Sequence, residues 1–269
     1  MKIVFAGCRG QFENLLLDKL LAAGHEITEI NRKETVFSSP ENPDERFTGA
    51  DLALSTLTAT DEENKTPYEV DYEENWAFYQ AAQKAGVPKF AYLSMLGCDK
   101  PGSGEAPLTD AKYLMEDRIL RGEMEYLIFR PTFSFEKLLN AFRPALENGK
   151  LELLHGNGDF RINPLSIEDL AQFIAEHLEE TNTAFDLGGK ETYTWTSLAN
   201  RLFKAAGKEP SIKYTHKWIF NRHHRNEEGH EKERSLLAAW TLSHHQVGIT
   251  EIEGKSFESF LTEQFAEKS

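Results

Sequence analysis

Residues 5–16, FAGCRGQFENLL, join a β-rich run to an amphipathic helix through two glycines three positions apart. When a strand passes directly into a glycine turn and a helix, the first backbone N–H groups of the helix and the positive end of its dipole converge on one point. Gly7 would allow the tight turn, and Gly10 would allow a pyrophosphate to approach the backbone closely. The stretch therefore predicts an anion-binding turn of the kind that holds nucleotides.

The glycine spacing departs from the GxGxxG fingerprint of dinucleotide-binding proteins, because Glu13 occupies the third position. A carboxylate in the first turn stabilises an empty helix N-terminus, but it repels a pyrophosphate when it faces the same loop. Two unit charges about 4 Å apart, at an effective dielectric constant of about 20, interact by roughly 4 kcal/mol. Arg9, at the tip of the loop, is placed to offset this repulsion.

Outward from this stretch, strand-like and helix-like segments alternate as far as Pro131. The β-rich runs are KIVFA (2–6), HEITEINR (25–32), DLALSTL (51–57), KFAYLSML (89–96) and EYLIFRP (125–131), and the helical patterns cover 11–24, 72–86 and 109–122. Such alternation implies parallel crossovers. We predict an α/β fold in which residues 1–132 form a doubly wound parallel Rossmann sheet. Residues 133–269 form a mixed segment, a small C-terminal α+β lobe.

Composition limits the classes of partner and compartment. The formal net charge of -14 would repel phosphate backbones, so we expect no nucleic-acid surface.

The first apolar run is too short for a signal-peptide core, and we expect a cytoplasmic protein without a membrane span. Cys8 and Cys98 form no CxxC pair. Four histidines lack metal-site spacing, and no metal is expected; they are His216, His223, His224 and His230.

Arg32 closes the second predicted strand, where doubly wound nucleotide-binding folds select their ribose partner. An acidic residue at this place binds the free 2′-hydroxyl, whereas an arginine binds a 2′-phosphate. Arg32, with Lys33 beside it, therefore favours NADP over NAD. The alternative interpretation is a solvated arginine in a turn.

Five segments of the chain share a pattern that is specific when they are taken together and in order. They are AGCRGQFENLLLDKLLAAGHEITEINR, VDYEENWAFYQAAQKAGVPKFAYLSMLGCDK, AKYLMEDRILRGEMEYLIFRPT, GDFRINPLSIEDLAQFI and FDLGGKETYTWTSLANRLFKAAGK. In this order they resemble the atypical short-chain dehydrogenase/reductases of the NmrA-like, NAD(P)-binding type. The resemblance implies that the C-terminal lobe binds substrate and that residues 163–190 return to the Rossmann body. It also implies a nicotinamide near Ser94, Lys112 and Arg130-Pro131-Thr132. With the glycine loop, the expected cofactor contacts are Gly7, Arg9, Gly10, Phe12, Arg32, Thr56, Leu57, Ser94, Lys112 and Pro131.

The sequence departs from the wider superfamily at the positions that transfer protons. Members of that superfamily use a Tyr-x-x-x-Lys pair; Lys112 matches the lysine, but Leu108 stands at the tyrosine position. Tyr113 does not substitute, because one residue along a helix lies about 100° around its axis. Leu96 stands where a substrate-polarising serine or threonine usually falls. Lys112 and Ser94 remain the catalytic candidates.

Each candidate also has a structural interpretation. Lys112 would hold the nicotinamide ribose or donate the proton itself, or else form a surface ion pair with Glu116. Ser94 and Thr132 would be structural hydroxyls at strand ends. The two cysteines are expected to be buried free thiols rather than a thiol switch. Two segments are expected to cap and orient a helix: Asn163-Pro164 and Glu168-Asp169.

Two functions follow from these residues. The first is an NADP(H)-binding oxidoreductase that acts on an unidentified small molecule. The second is a non-catalytic family member that senses NAD(P) or binds a protein partner. An epimerase or dehydratase acting on nucleotide sugars is disfavoured, because those reactions normally need the tyrosine. The sequence leaves a protein partner and a homo-oligomer open.

Overall fold

The computed structural model describes residues 1–7, 10–30, 45–60, 65–98, 106–154, 159–223, 228–242 and 244–266. The strands are β1 Lys2–Ala6, β2 Glu26–Ile30, β3 Leu52–Ser55, β4 Lys89–Leu93, β5 Glu125–Pro131, β6 Leu151–Leu154, β7 Arg161–Ile162, β8 Thr183–Gly189, β9 Tyr193–Thr194, β10 Ile212–Thr215 and β11 Thr250–Ile252. The helices are α1 Gln11–Ala22, α2 Asn75–Lys84, α3 Pro107–Leu120, α4 Phe135–Asn148, α5 Ile167–Glu176, α6 Trp195–Ala205, α7 Lys217–His223, α8 Gly229–Leu242 and α9 Phe257–Ala266. A π-helical segment, Tyr68–Glu74, runs directly into α2.

Seven strands form the central sheet, in the order β11-β8-β5-β4-β3-β1-β2. β1 pairs in parallel with β2 on one side and with β3 on the other, and β3 with β4 and β4 with β5 are parallel too. β1, β3 and β4 are almost entirely buried, because helices on both faces cover a doubly wound sheet. The predicted doubly wound α/β class is confirmed.

The chain divides into two compact units. The first comprises Met1–Arg130 and Leu170–Phe185, and the second comprises Pro131–Asp169 and Asp186–Ser269. The sequence placed the boundary at residue 132 and the returning segment at 163–190. In the second unit, α4, α6 and α9 enclose an apolar cluster that includes Phe135, Trp195 and Phe257.

α2 and α3 contribute the helical side of the first unit's core. Phe78 and Tyr79 of α2 and Met115 of α3 lie in one buried cluster with Phe90 of β4 and Ile128 of β5. Burying an aromatic or aliphatic side chain of this size stabilises the fold by about 1.5–3 kcal/mol. This packing fixes both helices against the strands whose carboxyl ends carry the predicted site residues.

The order of strands reverses at β1, since the chain passes from β1 to β2 on one side and later to β3 on the other. Ligands of open α/β sheets bind at the carboxyl ends of the strands beside such a reversal. The register pairs Ala6 with Ser55, which brings Gly7 next to Thr56. Gly7 has a φ of 119°, and a Cβ on it would overlap the Thr56 hydroxyl oxygen. Glycine is therefore required at this point for both conformation and space.

We expect Gly7→Ala to lower the free energy of unfolding by about 3 kcal/mol, because it combines a strained backbone with a steric overlap. Gly49→Ala is the matched control. Gly49 also has a positive φ, of 69°, but a Cβ there meets nothing within 4 Å. The control should cost only about 1 kcal/mol. Urea unfolding of both variants measures the difference, and equal losses would show that the contact with Thr56 is unimportant.

Candidate functional site

The N-terminus of α1 lies directly after the glycine turn. Gly10 is the N-cap in an extended conformation, with φ -90° and ψ 172°, and has no side chain to cap the helix. A Cβ on Gly10 would overlap Oε2 of Glu13, so the carboxylate is folded back over the N-cap residue. Glu13 thus places negative charge at the positive end of α1, where the sequence predicts that a pyrophosphate approaches.

The turn after β3 forms the other side of this edge. Thr56 N donates to Ala6 O at 3.0 Å, which ties the turn to β1. Asn75, at the start of α2, donates from Nδ2 to Leu57 O at 3.1 Å and accepts from Ser55 Oγ at 2.6 Å. Ser55 Oγ also accepts from Leu57 N at 3.3 Å. The predicted contacts Thr56 and Leu57 therefore lie on a turn whose backbone is fixed by buried side chains.

Lys112 of α3 is buried, with 5% of its surface exposed. Its Nζ lies 3.1 Å from Asp71 Oδ1 and donates to Leu93 O at 3.2 Å. Asp71 belongs to the π-helical segment and is completely buried. The alternative interpretation of Lys112, a surface ion pair with Glu116, is wrong. Asp71, not Glu116, is the acidic residue beside the Lys112 ammonium at the end of β4.

Tyr92 of β4 is the aromatic residue beside Lys112. The Lys112 ammonium lies 5.2 Å from the centre of the Tyr92 ring, and the phenol donates to the backbone O of Asp71 at 3.3 Å. Burial, together with the Asp71 carboxylate, raises the pKa of Tyr92 well above its usual value. Because Tyr92 is fully buried, it does not replace the tyrosine that is missing at Leu108.

Glu116 is the centre of a second buried polar cluster, one helical turn beyond Lys112. Arg130 of β5 binds both carboxylate oxygens, from Nε at 3.1 and 3.0 Å and from Nη2 at 2.6 Å. Ser94 Oγ donates to Glu116 Oε1, and the Cys98 thiol donates to the same atom at 3.1 Å. Ser94, one of the two catalytic candidates, thus uses its hydroxyl proton in this cluster.

Cys98 is a thiol of low reactivity. Burial, reinforced by the neighbouring Glu116 carboxylate, raises the pKa of Cys98 to about 12. The thiolate is the reactive form of cysteine, and it is scarce at neutral pH when the pKa lies this high. This environment favours the expected buried free thiol over the thiol switch. Cys8 lies outside the described residues.

The remaining predicted residues divide between the two units. Phe12 is half-buried in the first turn of α1, and Pro131 ends β5. Thr132 donates from Oγ1 to Gln246 O at 3.0 Å and from its backbone N to Leu187 O at 2.9 Å, as a structural hydroxyl would. Arg9, Arg32 and Lys33 lie outside the described residues, as do the side chains of His223, His224 and His230.

The helix-capping prediction near residue 166 is matched by hydrogen bonds of the second unit. Ser166 Oγ accepts from Asp169 N at 3.0 Å and donates to its carboxylate at 2.7 Å. Asn163 bonds through its side chain to both N and O of Gly248. These residues orient the start of α5 and the segment before β11, rather than a ligand.

Asp71 and Asn75 are the site residues that the sequence interpretation missed. They lie four positions apart and share the buried helical face with Phe78, Tyr79 and Ala82. The available signal was this spacing, which places two polar residues at positions that otherwise carry core side chains. Buried polar groups need partners, and such residues are therefore candidates for a structural or functional network.

A groove of about 950 Å³ lies on the second unit, and none of the predicted site residues lines it. Thr196, Asn200, Arg201, Tyr214, Glu258 and Phe265 are among the residues that line it. Within the described ranges no cluster of His, Cys, Asp and Glu is arranged to hold a metal ion. None of the described helices has the length and apolar character needed to cross a membrane.

Comparison with known proteins finds relatives at low identity. The chain is 25% identical over 179 residues to photosystem II assembly factor Ycf39 of Trieres chinensis, covering 65% of this chain and 55% of that protein. It is 31% identical over 173 residues to the chloroplastic divinyl chlorophyllide a 8-vinyl-reductase of Arabidopsis thaliana, covering 61% and 41%. The chain thus spans about half the length of these curated relatives. No family model matches it.

Two solved structures share the fold over almost the whole chain. A nucleoside-diphosphate-sugar epimerase from Staphylococcus aureus has a TM-score of 0.73 at 15% identity, covering 97% of this chain and 99% of that one. The NADPH-dependent quinone oxidoreductase of Escherichia coli, in complex with NADPH, has a TM-score of 0.70 at 18% identity, covering 98% and 99%. At these identities the likeness establishes the fold.

We expect Arg130→Met to lower the free energy of unfolding by about 3–5 kcal/mol, because it leaves the Glu116 carboxylate buried without a counter-charge. Arg121→Met is the matched control, because it removes an arginine that also pairs with a carboxylate of α3. Arg121 pairs with Asp117 of α3, but its side chain is 77% exposed, and an exposed pair contributes about 0.5 kcal/mol or less. Chemical denaturation measures both losses. A small loss in Arg130→Met would show that the buried Glu116 carboxylate does not depend on Arg130 as its counter-charge.

Proposed function

We propose that this chain, an atypical member of the short-chain dehydrogenase/reductase family, binds NADP(H) at the carboxyl ends of β1 and β3 and transfers hydride to or from a small molecule. The observation that carries the proposal is the close contact of Gly7 with Thr56 at the point where strand order reverses. This is the place where doubly wound sheets bind nucleotides. The quinone oxidoreductase that shares the fold binds NADPH.

The proposed cofactor contacts follow from these positions. Gly7 and Gly10 let the backbone approach the pyrophosphate, and Arg32 binds the 2′-phosphate. Thr56 and Leu57 lie on the fixed turn beside them. The further contacts that the family resemblance implies are Arg9, Phe12, Ser94, Lys112 and Pro131.

The arrangement favours hydride acceptors that need no acid from the protein. Leu108 cannot donate a proton, and the Ser94 hydroxyl donates its hydrogen bond to Glu116. Hydride transfer to a simple carbonyl produces an alkoxide, whose conjugate acid is about as weak as water, with a pKa near 15.7. Hydride transfer to a quinone produces a phenolate, whose conjugate acid has a pKa near 10. A quinone-like acceptor therefore accepts hydride and takes its proton from solvent.

A second function, a non-catalytic member that senses NADP(H) or binds a protein, is favoured by the same substitution at Leu108. A relative at 25% identity is named an assembly factor. In this alternative the nucleotide binds as proposed, but hydride does not leave it. Single-turnover mixing of the NADPH complex with a water-soluble benzoquinone separates the two functions through loss of absorbance at 340 nm.

We expect calorimetric titration to show NADPH binding at least about tenfold more tightly than NADH, since a charge-assisted bond to the 2′-phosphate contributes about 1.5–3 kcal/mol. Arg32→Ala should remove this preference without weakening NADH binding. Arg121→Ala, which removes an exposed arginine, is the control for net charge. Absence of NADPH binding to the unmodified protein would refute the proposed function. Equal affinities in Arg32→Ala and the control would refute the assignment of Arg32.

We expect Glu13→Gln to bind NADPH more tightly by about tenfold, because the substitution removes a carboxylate at the N-terminus of α1. Asp18→Asn is the control, since it makes the same change of charge on the exposed face of α1, about 7.5 Å further along the axis. The control should change the dissociation constant less than twofold. Equal effects of both substitutions would indicate general charge rather than a local contact.

A further inference from the structure

We propose that Asp71 is a positioning residue that holds Lys112 as a fixed, charged hydrogen-bond donor to the nicotinamide ribose and prevents it from serving as the proton donor. This inference rests on the proposed function and deepens it, since it selects between the two roles that Lys112 could have. The observations that carry it are the buried ion pair, the direction of the ammonium and the second contact of the Asp71 carboxylate.

The ion pair is withdrawn from solvent on both sides. The side chain of Asp71 is 0% exposed and that of Lys112 is 6% exposed, and Nζ lies 3.1 Å from Oδ1. Asp71 Oδ1 has no hydrogen-bond partner within the described residues, and the Lys112 ammonium is the opposite charge beside it. A buried carboxylate and a buried ammonium each strongly disfavour loss of the other's charge.

The ammonium of Lys112 is directed by its surroundings. It carries three N–H groups, and Leu93 O and Asp71 Oδ1 occupy two sides of it. The face of the Tyr92 ring lies below it, 5.2 Å from Nζ. Leu93 O is the acceptor to which Nζ donates, and the proposal assigns another N–H of the ammonium to a ligand at the carboxyl end of β4. A charged donor fixed in this way is suited to bind ribose hydroxyls.

Proton donation by Lys112 would leave the Asp71 carboxylate buried beside a neutral amine. The neighbouring groups do not compensate for that loss. Glu116, one turn along α3, is itself negative and is neutralised by Arg130 of β5. The two other titratable groups near this point are neutral: Tyr92, the pKa of which is raised, and Cys98, the pKa of which is raised to about 12. The buried ion pair therefore favours the ribose-binding role of Lys112, and in this proposal solvent protonates the acceptor.

Asp71 also connects Lys112 to the turn after β3 that contains Thr56 and Leu57. Its Oδ2 accepts from the backbone N of Ala59 at 2.9 Å, in the segment that follows Thr56 and Leu57. One carboxylate thus fixes both the turn beside the glycines and the amine at the end of β4. Asp71, which makes both contacts, belongs to the π-helical segment. Such segments are frequent at functional sites.

The test compares the dissociation constant of NADPH in Asp71→Asn with that of the unmodified protein between pH 7 and pH 9.5. The asparagine has the size of aspartate and retains an acceptor for Ala59 N, but it removes the counter-charge of Lys112. The ratio of the two dissociation constants removes the effect of pH on the nucleotide itself, because that effect is the same for both proteins. We expect the ratio to rise about tenfold or more across this range, because an unpaired buried ammonium loses its proton as the pH rises. A ratio independent of pH would overturn the inference.

Matched variants separate positioning from folding. Asp117→Asn, at a half-buried position of α3, should give a ratio of dissociation constants near one at every pH. Asp71→Glu retains the charge, so its ratio should be independent of pH. The charge-neutral double variant Asp71→Asn/Lys112→Gln, which removes both buried charges, should bind NADPH at least about tenfold more weakly at every pH. Affinity equal to that of the unmodified protein in this folded double variant would overturn the inference even if Asp71→Asn failed to fold. If the unmodified protein does not bind NADPH, the proposed function itself fails.

Discussion

Every charge that α3 buries against the sheet requires a partner of opposite charge, and this requirement determines how the helix is placed. Glu116 meets Arg130 of β5, and Lys112 meets Asp71 of the π-helical segment. A rotation of α3 by one residue, about 100°, would remove both charges from their partners at once. The two pairs therefore select one arrangement of α3, β5 and the segment before α2, in addition to whatever stability the apolar core provides.

The same pairing determines the chemistry that remains available. A reductase that protonates its substrate needs a group that can give up a proton without leaving a buried charge unpaired. The polar groups at the end of β4 already have partners. Ser94 and Cys98 donate hydrogen bonds to Glu116, and Lys112 forms an ion pair with Asp71. Under the proposed function, these groups would hold and orient a ligand and would transfer protons poorly. Hydride transfer to an acceptor that solvent can protonate is consistent with this balance, and so is cofactor binding without turnover.

Much of the fold could be predicted from sequence because its signals are local. The predicted strand at 125–131 coincides with β5, and the predicted helix at 109–122 corresponds to Pro107–Leu120. The partner of Lys112 could not be predicted in this way. Glu116 is its neighbour at i+4, whereas Asp71 is distant in sequence and lies beside Lys112 only in the folded structure. Long-range pairing of buried charges depends on tertiary geometry, which no periodicity in the sequence reports.

Glu13 shows why a carboxylate is tolerated in a glycine turn that resembles a nucleotide site. Gly10 cannot cap α1 with a side chain, and the N-terminal N–H groups of a helix need an acceptor. Glu13, folded over Gly10, supplies negative charge at that end when no nucleotide is present. Under the proposed function, a carboxylate here stabilises the empty state more than the bound state, so a cofactor would have to bring compensating contacts. Arg32, which lies outside the described residues, would give such a contact to NADP and none to NAD, and Glu13 would then make binding more dependent on the 2′-phosphate.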